Sequence, residues 1–398
     1  MNAGYGLTVR WSLEEAPAGV EQKLRDYVIG TSMAKFMFLD GLAFKTWRMS
    51  HGRWFEGVYV FDEAVYRDDA IPTRFRRDGL PISSSSQPAI MAEMLEQLAL
   101  EPGLRVLEVG AGTGYNAALL AELVGPEGSV TTIDVDAEIA REARRALRTA
   151  GRRARVVVGD GRDGVPARPP FDRIVVTASA DEIPPAWAGQ LVEGGLLEVP
   201  LRLHGGAGQF VATFRRERGG LVSVAIVPGG FMPLRSPGEP DLPVPPPSLL
   251  ATDATGADRR RPPLRQLAGA SLATLSDAAK RRLLAISLSD ARTRPLGLRA
   301  DPYALLLYLQ LTLPPGRTVL LWPEPAIGTI GHDGRSLAYV SARGVERISR
   351  LHAHGGPEAE NALATAVARW RERGRPGLGD LRLVVGAGGG VPRLRGRR

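Results

Sequence analysis

The chain has 398 residues, of which 44% are hydrophobic and 24% are charged, a composition that allows two or three globular domains. It contains no cysteine, which excludes disulfides, thiolate metal ligands and cysteine nucleophiles. No apolar run approaches the roughly 18 residues of a membrane span, and the start lacks the layout of a signal peptide. We therefore expect a cytoplasmic protein that does not associate with membranes.

The formal net charge is +8, from 51 Lys and Arg residues against 43 Asp and Glu residues. Such a surplus is compatible with binding nucleic acid or an acidic peptide. No nucleic-acid recognition motif accompanies it, and charge without a motif is weak support for such a partner. We expect a solvated basic surface and no nucleic-acid partner.

Residues 1–80 mix helical and irregular signals, and we expect them to pack as a segment on the domain that follows. The serine run Ser83–Ser86 then leads through Gln87 and Pro88 into the apolar helical pattern of "AIMAEMLEQLAL". Serine is favoured just before a helix, and proline fits the first helical turn. The run is a helix cap, a flexible joint or part of a reaction centre, and the pattern leaves these alternatives open.

From Arg105 onward the pattern alternates strands and helices. The predicted strands are "RVLEVG", "SVTTIDV", "ARVVVGD", "FDRIVVTAS" and "GGLLEVPL". The predicted helices are "NAALLAELVG", which ends at Gly125, and "AEIAREARRALRTAG", which ends at Gly151. Strands that alternate with helices indicate a doubly wound α/β fold, in which a parallel sheet is covered on both faces.

The composition changes near Ser236, where "SPGEPDLPVPPPS" begins a proline-dense stretch that can extend neither a helix nor a sheet. We place a linker at 236–262 and a second, mixed α+β domain at 263–398. Within that domain "YALLLYLQLTL" and "SLAYVSAR" are core segments, and "PEAENALATAVARWRERG" is a helix whose apolar face includes Trp370. "GAGGG" follows a strand-like run but precedes no helix, so we expect a flexible tail there and no phosphate loop.

The most informative stretch is "VLEVGAGTGYNAALL", which places Gly110, Ala111, Gly112 and Gly114 between a strand and a helix. Glycines at such a turn permit positive φ and let a ligand approach the backbone. Asp134 ends the next strand, where an acid can hydrogen-bond a ribose. A dinucleotide site would show a similar layout, so the glycines alone do not decide the ligand.

Two further acids shift the balance. Glu108 stands two residues before the first glycine, where a carboxylate repels a pyrophosphate but suits the cationic cofactor S-adenosylmethionine. The third strand ends in "GDG", where Asp160 beside Gly161 can reach an adenine amino group. These acids favour a class I S-adenosylmethionine-dependent methyltransferase core, and a doubly wound domain for another nucleotide is the alternative.

Two long stretches closely resemble the protein-L-isoaspartate O-methyltransferase family. They are "SSQPAIMAEMLEQLALEPGLRVLEVGAGTGYNAALLAELVG" and "GDGRDGVPARPPFDRIVVTASADEIPPAWAGQLVEGGLLEVPL". "AVYRDDAIP" and "VPGGFMPLR" resemble that family's segments before the serine motif and at its close. The resemblance runs from about Ala64 to Arg235 and implies an S-adenosylmethionine-binding domain at 81–235.

The family's Ser-Gln-Pro motif falls on Ser86, Gln87 and Pro88. The resemblance implies that Ser86 lies beside the methyl donor and the substrate carboxylate, as the catalytic residue. Together with the glycine turn, it predicts a set of cofactor-binding residues around the serine run, the strand ends and one later strand. These are Ser83, Ser84, Ser85, Ser86, Gln87, Glu108, Gly110, Ala111, Gly112, Gly114, Asp134, Val135, Asp160, Gly161, Gln209 and Thr213.

The chain departs from the family in two ways. Ser84 and Ser85 stand where the family usually has Thr-Ile, and well over a hundred residues follow "VPGGFMPLR". The extension resembles that of isoaspartyl-methyltransferase homologues associated with ribosomally made, modified peptides, namely lanthipeptides, lasso peptides and graspetides. "GHDGRSLAYV" and "ARWRERGRPGLGDLRLVV" are similar to segments of their extra domain. This resemblance implies a cyclised precursor peptide as the partner, recognised by the C-terminal domain.

Methyl transfer to a carboxylate needs no general base, because an aspartate with a pKa of about 3.9 is already ionised near neutrality. The enzyme has to align the reactants and exclude water. The predicted function is methylation of an aspartate in a constrained peptide, after which the ester closes to an aspartimide (succinimide) that persists or hydrolyses to isoaspartate. The alternatives are an isoaspartate repair enzyme with an accessory domain and a catalytically inactive peptide-binding module.

The histidines do not indicate a metal site. His332 precedes Asp333, while His352 and His354 lie two residues apart. Neither spacing is typical of metal ligands, and the mechanism has no use for a metal. We predict none.

Overall fold

A computed structural model gives the fold of the protein. It describes residues 5–12, 42–50, 54–61, 70–75, 81–167, 170–203, 208–238, 249–251, 266–299, 301–314, 317–322, 326–342 and 347–395. The chain divides into two compact units. One consists of the residues up to Pro72 together with Ser85–Ile90, and the other of Thr73–Ser84 together with Met91–Arg398.

An antiparallel three-stranded sheet forms much of the described N-terminal region. Its strands are β1 (Tyr5–Ser12), β2 (Leu42–Ser50) and β3 (Trp54–Phe61), with β3 in the centre. Two further strands, β4 (Ile71–Phe75) and β5 (Pro81–Ser85), pair with each other. Within the described parts of residues 1–80, strands stand where helical and irregular structure was expected, because aromatic and β-branched residues in runs such as "WFEGVYVF" favour strands.

A nine-stranded sheet forms the centre of the second unit. Its five parallel strands are β6 (Arg105–Val109), β7 (Ser129–Asp134), β8 (Arg155–Val158), β9 (Phe171–Val176) and β10 (Leu191–Leu203). Two antiparallel strands follow, β11 (Gly208–Glu217) and β12 (Gly220–Pro228). The strand order is β8-β7-β6-β9-β10-β11-β12, and two later strands extend it beyond β12. The predicted class I methyltransferase core is confirmed.

The described residues between Pro88 and Gln190 form four α-helices. They are α1 (Pro88–Gln97), α2 (Tyr115–Val124), α3 (Ala137–Thr149) and α4 (Pro185–Gln190). The start and stop signals act as predicted. Gly125, with φ of 68°, ends α2, while the Asp136 carboxylate begins α3 by accepting the backbone N–H groups of Glu138 and Ile139.

The C-terminal region builds a second, seven-stranded antiparallel sheet. Its strands are β13 (Leu249–Ala251), β14 (Gln266–Ala268), β15 (Arg292–Arg299), β16 (Thr318–Trp322), β17 (Ala326–Ile330), β18 (Ser336–Ala342) and β19 (Arg347–Gly355). Their order is β13-β14-β16-β17-β18-β19-β15. The helices are α5 (Asp277–Ser287), α6 (Pro302–Thr312) and α7 (Pro357–Glu372). The predicted α+β character is confirmed, and Trp370 of α7 is buried as expected. Most of the predicted linker 236–262 lies outside the described residues.

After α7 the chain returns to the nine-stranded sheet. β20 (Leu383–Gly386) pairs antiparallel with β12, and β21 (Arg393–Leu394) pairs with β20. In the buried interior, Ser223 Oγ accepts the backbone N–H of Leu383 at 2.8 Å. Residues that the sequence analysis assigned to a separate C-terminal domain therefore complete the sheet of the methyltransferase core.

The "GAGGG" turn between these last two strands is held in place. Gly390 and Ile183 exchange two backbone hydrogen bonds, of 2.8 and 3.1 Å. A Cβ added to Gly389 would lie 2.4 Å from the carbonyl oxygen of Ile183, so the two backbones are in close contact. The expectation of a flexible tail was wrong at this turn, since its partner is distant in sequence.

One hydrophobic core runs through both parts of the second unit. It includes Leu107 and Phe214 of the nine-stranded sheet together with Tyr308 of α6 and Trp370 of α7. A smaller core, with Leu267 and others, lies in the seven-stranded sheet. Among the described residues, no helix is long and apolar enough to cross a membrane.

Candidate active site

The glycine turn, Asp134 and the "GDG" segment, which the sequence predicts to bind the cofactor, lie at one edge of the nine-stranded sheet. The neighbouring parallel strands β6, β7 and β8 end at Val109, Asp134 and Val158. Gly110 directly follows β6, and Gly159 directly follows β8. Open parallel sheets bind ligands beyond the carboxyl ends of their strands. The glycine turn, Asp134 and the "GDG" segment thus lie where a ligand is expected.

Asp134 holds the glycine turn. Its Oδ2 accepts the backbone N–H of Gly112 at 3.1 Å, and its Oδ1 accepts that of Asp136 at 3.1 Å. Each carboxylate oxygen can accept a second hydrogen bond, which leaves capacity for the hydroxyls of a ribose. Val135, between the two acids, is half-buried.

The glycine turn is tight on one side and open on the other. Gly110 has φ of 103°, and a Cβ there would lie 2.5 Å from the hydroxyl oxygen of Thr177, which donates to the Gly110 carbonyl at 2.8 Å. Gly112 has φ of 50°, but a Cβ there would meet no heavy atom within 4 Å. The backbone of Gly112 is therefore accessible to a ligand. Ala111, beside it, is buried.

The "GDG" segment is tied to the chain after β12. Asp160 Oδ1 accepts the backbone N–H of Arg162 at 2.9 Å and its guanidinium at 3.3 Å. The same guanidinium donates to the carbonyl oxygen of Leu234 and to Ser236 Oγ, both at 2.9 Å. Arg162 thereby joins the loop after β8 to the "VPGGFMPLR" segment.

Helix α4 fixes the same loop from inside the core. Trp187 is fully buried, and its indole N–H donates to the carbonyl oxygen of Gly161 at 2.8 Å. Gln190 accepts the backbone N–H of Val165 at 2.8 Å and donates to the carbonyl oxygen of Asp163 at 2.7 Å. Three hydrogen bonds from one short helix thus hold the loop.

Glu108 is fully buried on β6, beneath α2. Asn116 donates its amide to Glu108 Oε1 at 2.8 Å, and Thr132 is its neighbour in register on β7. Burial raises the pKa of Glu108 to about 7, although the neighbouring Thr132 and Asn116 side chains oppose the shift. The carboxyl group therefore changes charge near neutrality.

Gln209 is half-buried on β11 and binds the closing segment. Its Oε1 accepts the backbone N–H of Phe231 at 2.6 Å. On the other side of that segment, Ser179 donates its hydroxyl to the Phe231 carbonyl oxygen at 3.1 Å and its backbone N–H to the Met232 carbonyl oxygen at 2.8 Å. Gln209 and Ser179 together hold the closing segment beside the end of β9.

Thr213 is enclosed in a polar cluster under α1. Its hydroxyl lies 2.8 Å from Gln97 Oε1 and 3.1 Å from Glu198 Oε1. Neither Thr213 nor Glu198 is exposed to solvent. Burial raises the pKa of Glu198 to about 9, so this carboxyl group is protonated near neutrality and can donate a hydrogen bond. These contacts give Thr213 a structural role within the core.

The serine run is not a flexible joint. Ser83, Ser84 and Ser85 end strand β5, and all four serines are half-buried, whereas Gln87 is exposed. Thr73 donates its hydroxyl to Ser83 Oγ at 3.1 Å. Ser85–Gln87 belong to the first compact unit and the glycine turn belongs to the second. The placement of Ser86 at the reacting carboxylate stays a prediction.

The second unit fits S-adenosylmethionine on three counts. The backbone at Gly112 is open, Asp134 keeps acceptor capacity for a ribose, and Asp160 has its second carboxylate oxygen available for an adenine amino group. Among the described residues, no group of three or more His, Asp or Glu side chains is arranged to hold a metal ion. His352 and His354 stack on Tyr339 instead, at centroid distances of 4.8 and 5.8 Å.

Sequence reasoning missed four residues that hold this edge of the sheet: Thr177, Ser179, Arg162 and Trp187. All four bind backbone atoms of loops that are distant in the chain. Only Arg162 and Trp187 carried a usable signal. A charged residue inside "GDGRD" and a lone tryptophan in a short helix are candidates for polar contacts to buried loops.

Comparison with known proteins identifies close relatives. The family profile "Protein-L-isoaspartate(D-aspartate) O-methyltransferase" matches residues 57–236. The protein-L-isoaspartate O-methyltransferase of Ignicoccus hospitalis is 42% identical over 159 residues, which cover 39% of this chain and 75% of the relative. That of Korarchaeum cryptofilum is 37% identical over 190 residues, which cover 44% of this chain and 86% of the relative.

A solved structure of a protein-L-isoaspartate O-methyltransferase aligns over 94% of this chain and 97% of its own length. The identity is 24% and the TM-score is 0.47. The family profile ends at residue 236, close to the point where the composition changes. The seven-stranded sheet and its helices thus lie outside the matched region.

Proposed function

Since the chain belongs to the protein-L-isoaspartate O-methyltransferase family and is an S-adenosylmethionine-dependent carboxyl methyltransferase, we propose that its acceptor is an aspartate in a constrained, ribosomally made peptide. The partner is the cyclised precursor peptide, and the C-terminal region recognises its shape. Ser86 is the proposed catalytic residue, and the glycine turn, Asp134 and the "GDG" segment are the proposed cofactor site.

One observation carries this proposal. The region beyond the matched family segment returns to form β20 on β12, and its helices share the core of the methyltransferase sheet. An extension integrated in this way presents a fixed surface to a substrate, whereas a tethered accessory domain would move independently. A fixed surface favours recognition of a peptide with a defined shape.

For this reaction the protein mainly has to align the acceptor carboxylate with the methyl group of the cofactor. When bound, S-adenosylmethionine supplies an electrophilic methyl group. The proposed role of Ser86 is to orient the acceptor carboxylate by a hydrogen bond, and the transfer requires that water be excluded from the reacting groups. After methylation, the backbone nitrogen of the next residue attacks the ester carbonyl, methanol leaves, and a succinimide ring forms.

The test compares three peptides with the full chain and S-adenosylmethionine by mass spectrometry. They are the cyclised product of a candidate precursor, its linear form, and a linear isoaspartyl peptide. The proposal expects a gain of one methyl group and then loss of methanol for the cyclised peptide alone. Equal methylation of the cyclised and linear forms would contradict recognition of a constrained shape.

Repair of isoaspartate is the second candidate function, favoured by the names of the curated relatives. It predicts methylation of the linear isoaspartyl peptide and none of the aspartyl peptides. A Ser86→Ala variant separates binding from transfer under either function. It should bind S-adenosylmethionine, in a calorimetric titration, while methyl transfer falls.

A further inference from the structure

A basic cavity lies at the amino ends of β7 and β8, opposite to the edge that carries the glycine turn. Its volume is about 530 Å³, and it is an open cleft at the surface. Val130, Leu147 and Val156 give it apolar walls. Five arginines line it as well, and we call the cavity the arginine pocket; they are Arg144, Arg148, Arg152, Arg153 and Arg155.

Three of these five arginines are free to meet a ligand. Arg144 donates to the carbonyl oxygen of Val156 at 2.9 Å, and Arg152 forms an ion pair with Glu122 at 2.7 Å. Arg148, Arg153 and Arg155 are exposed, and no ion pair within the described part of the chain involves them. A concave wall with three such guanidinium groups suits carboxylates or phosphates, since guanidinium binds either through paired hydrogen bonds.

The pocket opens onto a strand that leads to the cofactor site. Within the described residues, β8 is the last strand of the nine-stranded sheet and pairs only with β7. It begins at Arg155, in the pocket, and runs to Gly159 and Asp160 at the opposite edge. Val158, near its end, is exposed. An extended peptide can add to such a strand through backbone hydrogen bonds.

We propose that the arginine pocket binds an acidic segment of the peptide substrate, and that β8 guides the chain from there to the methylated aspartate. The distance from Arg155 to Asp160 is five residues of extended chain, roughly 17 Å. That length reaches only the cofactor end of β8, so the acidic segment should lie more than about five residues from the methylated aspartate. The identity of the ligand rests on the proposed function.

The surroundings favour a peptide over a nucleic acid. A nucleic acid needs a long positive surface that follows its backbone. Further along α3 the charge is compensated, because Arg74 pairs with Glu138 and Glu142, and Arg141 pairs with Glu138. Among the arginines of α3 and of the loop to β8, Arg145 is also exposed and has no ion pair within the described residues, and the others without an ion pair line the cavity, which matches a short run of carboxylates.

Binding can be measured without methylation. The probe is a fluorescein-labelled, ten-residue peptide rich in Asp and Glu, titrated with the full chain in a fluorescence anisotropy assay. We expect saturable binding that weakens as salt rises, and no binding of the matched Asn and Gln peptide. Tighter binding of tripolyphosphate or of a short oligonucleotide than of the acidic peptide would overturn the proposal.

A charge-reversed pair of variants locates the site. Arg148→Glu with Arg153→Glu should weaken binding of the acidic peptide at least about tenfold. The control is Arg281→Glu with Arg369→Glu, which changes the net charge equally at exposed positions on α5 and α7. An equal loss of affinity in both variants would show that only the net charge matters, and it would overturn the arginine pocket as the binding site. Calorimetric titration with S-adenosylmethionine shows that both variants remain folded.

The two proposals fail separately. If the acidic peptide binds but no aspartyl peptide is methylated, the arginine pocket stands as a binding site and the proposed function is overturned. Methylation of a cyclised peptide whose rate and KM do not change in the Arg148→Glu, Arg153→Glu variant would overturn the pocket alone.

Discussion

The indole N–H of Trp187 donates to the carbonyl oxygen of Gly161 at 2.8 Å and so holds a loop of the candidate cofactor site. Trp187 follows Ile183, whose backbone exchanges two hydrogen bonds with Gly390 in the last turn of the chain. Gly390, which lies far beyond the matched family segment, thus contacts the segment that carries Trp187. Trp187 in turn contacts the Gly161 loop, which we expect to bind adenine.

Trp187→Phe tests this link. The change removes one buried hydrogen bond, worth about 1 kcal/mol, and should weaken S-adenosylmethionine binding about fivefold in a calorimetric titration. The control is Trp370→Phe in the same core, because the indole nitrogen of Trp370 has no hydrogen-bond partner within the described residues. The control should lower the melting temperature and leave the affinity unchanged. Equal affinities in the two variants would show that Trp187 does not position Gly161.

Glu108 should make cofactor binding depend on pH. Burial raises the pKa of this carboxyl group to about 7, so its negative charge develops as the pH rises through neutrality. S-adenosylmethionine carries a sulfonium charge that S-adenosylhomocysteine lacks, and a buried carboxylate attracts it strongly. The preference for S-adenosylmethionine over S-adenosylhomocysteine should therefore increase from about pH 6 to about pH 8.

Glu108→Gln keeps the shape and the hydrogen bond with Asn116 but removes the charge. In this variant the ratio of the two dissociation constants should stay constant over the same pH range. If the ratio still rises with pH, another group titrates and Glu108 has no electrostatic role toward the cofactor.

Glu198 should lower the stability of the fold as the pH rises. Its pKa is about 9 in the folded chain, against an ordinary value of 4.5, because of burial. Between these two values the folded state holds a proton that the unfolded state has lost. Stability is therefore lost as the pH rises through this window, by up to about 1.4 kcal/mol per pH unit.

Glu198→Gln removes this titration while keeping a hydrogen bond with Thr213. The variant should gain melting temperature over the wild type, and the gain should be larger near pH 8 than near pH 5. Glu127→Gln, at an exposed position, is the control and should show no such trend. A pH-independent difference between Glu198→Gln and the wild type would refute the assignment.

The methyltransferase core was predictable because its signals are local. The strands from β6 to β10 are apolar runs, Gly125 and Gly151 end helices, and the glycine turn sits between a strand and a helix. Each signal acts within about ten residues, so a single sequence contains it. The glycine turn, Asp134 and the "GDG" segment accordingly lie at one edge of the sheet.

The remaining features depend on contacts between distant segments. β20 pairs with β12 across more than a hundred and fifty residues, and the Gly390 contact with Ile183 spans over two hundred. No spacing rule relates such segments. The burial of Glu198 could not be predicted for a related reason. The sequence "GGLLEVPL" resembles a strand with one solvent-facing acid, whereas the acid is in fact buried and neutral.

Removal of the last two strands should destabilise the whole second unit. A chain that ends at Arg382 loses β20, the buried side chains of Leu383 and Val385, and the hydrogen bond that the Leu383 backbone N–H donates to Ser223 Oγ. We expect a loss of cooperative unfolding in calorimetry.

The control for this truncation is a chain that ends at Arg395. Leu383→Ala, expected to cost about 2–5 kcal/mol, covers the case of an insoluble truncation. An unchanged unfolding transition in both the chain that ends at Arg382 and the Leu383→Ala variant would contradict a shared sheet.

Gly110 provides the sharpest test of the glycine turn. Gly110→Ala places a Cβ 2.5 Å from the Thr177 hydroxyl at φ of 103°, whereas Gly103→Ala, at φ of 89°, meets nothing within 4 Å. Both changes carry the strain of positive φ, about 1 kcal/mol, so Gly103→Ala controls for it. Gly110→Ala should lower the melting temperature further and weaken S-adenosylmethionine binding at least about tenfold. Adding Thr177→Ala removes the colliding hydroxyl and should restore part of both losses. Equal effects of the two glycine variants would mean that the Thr177 contact does not shape the turn.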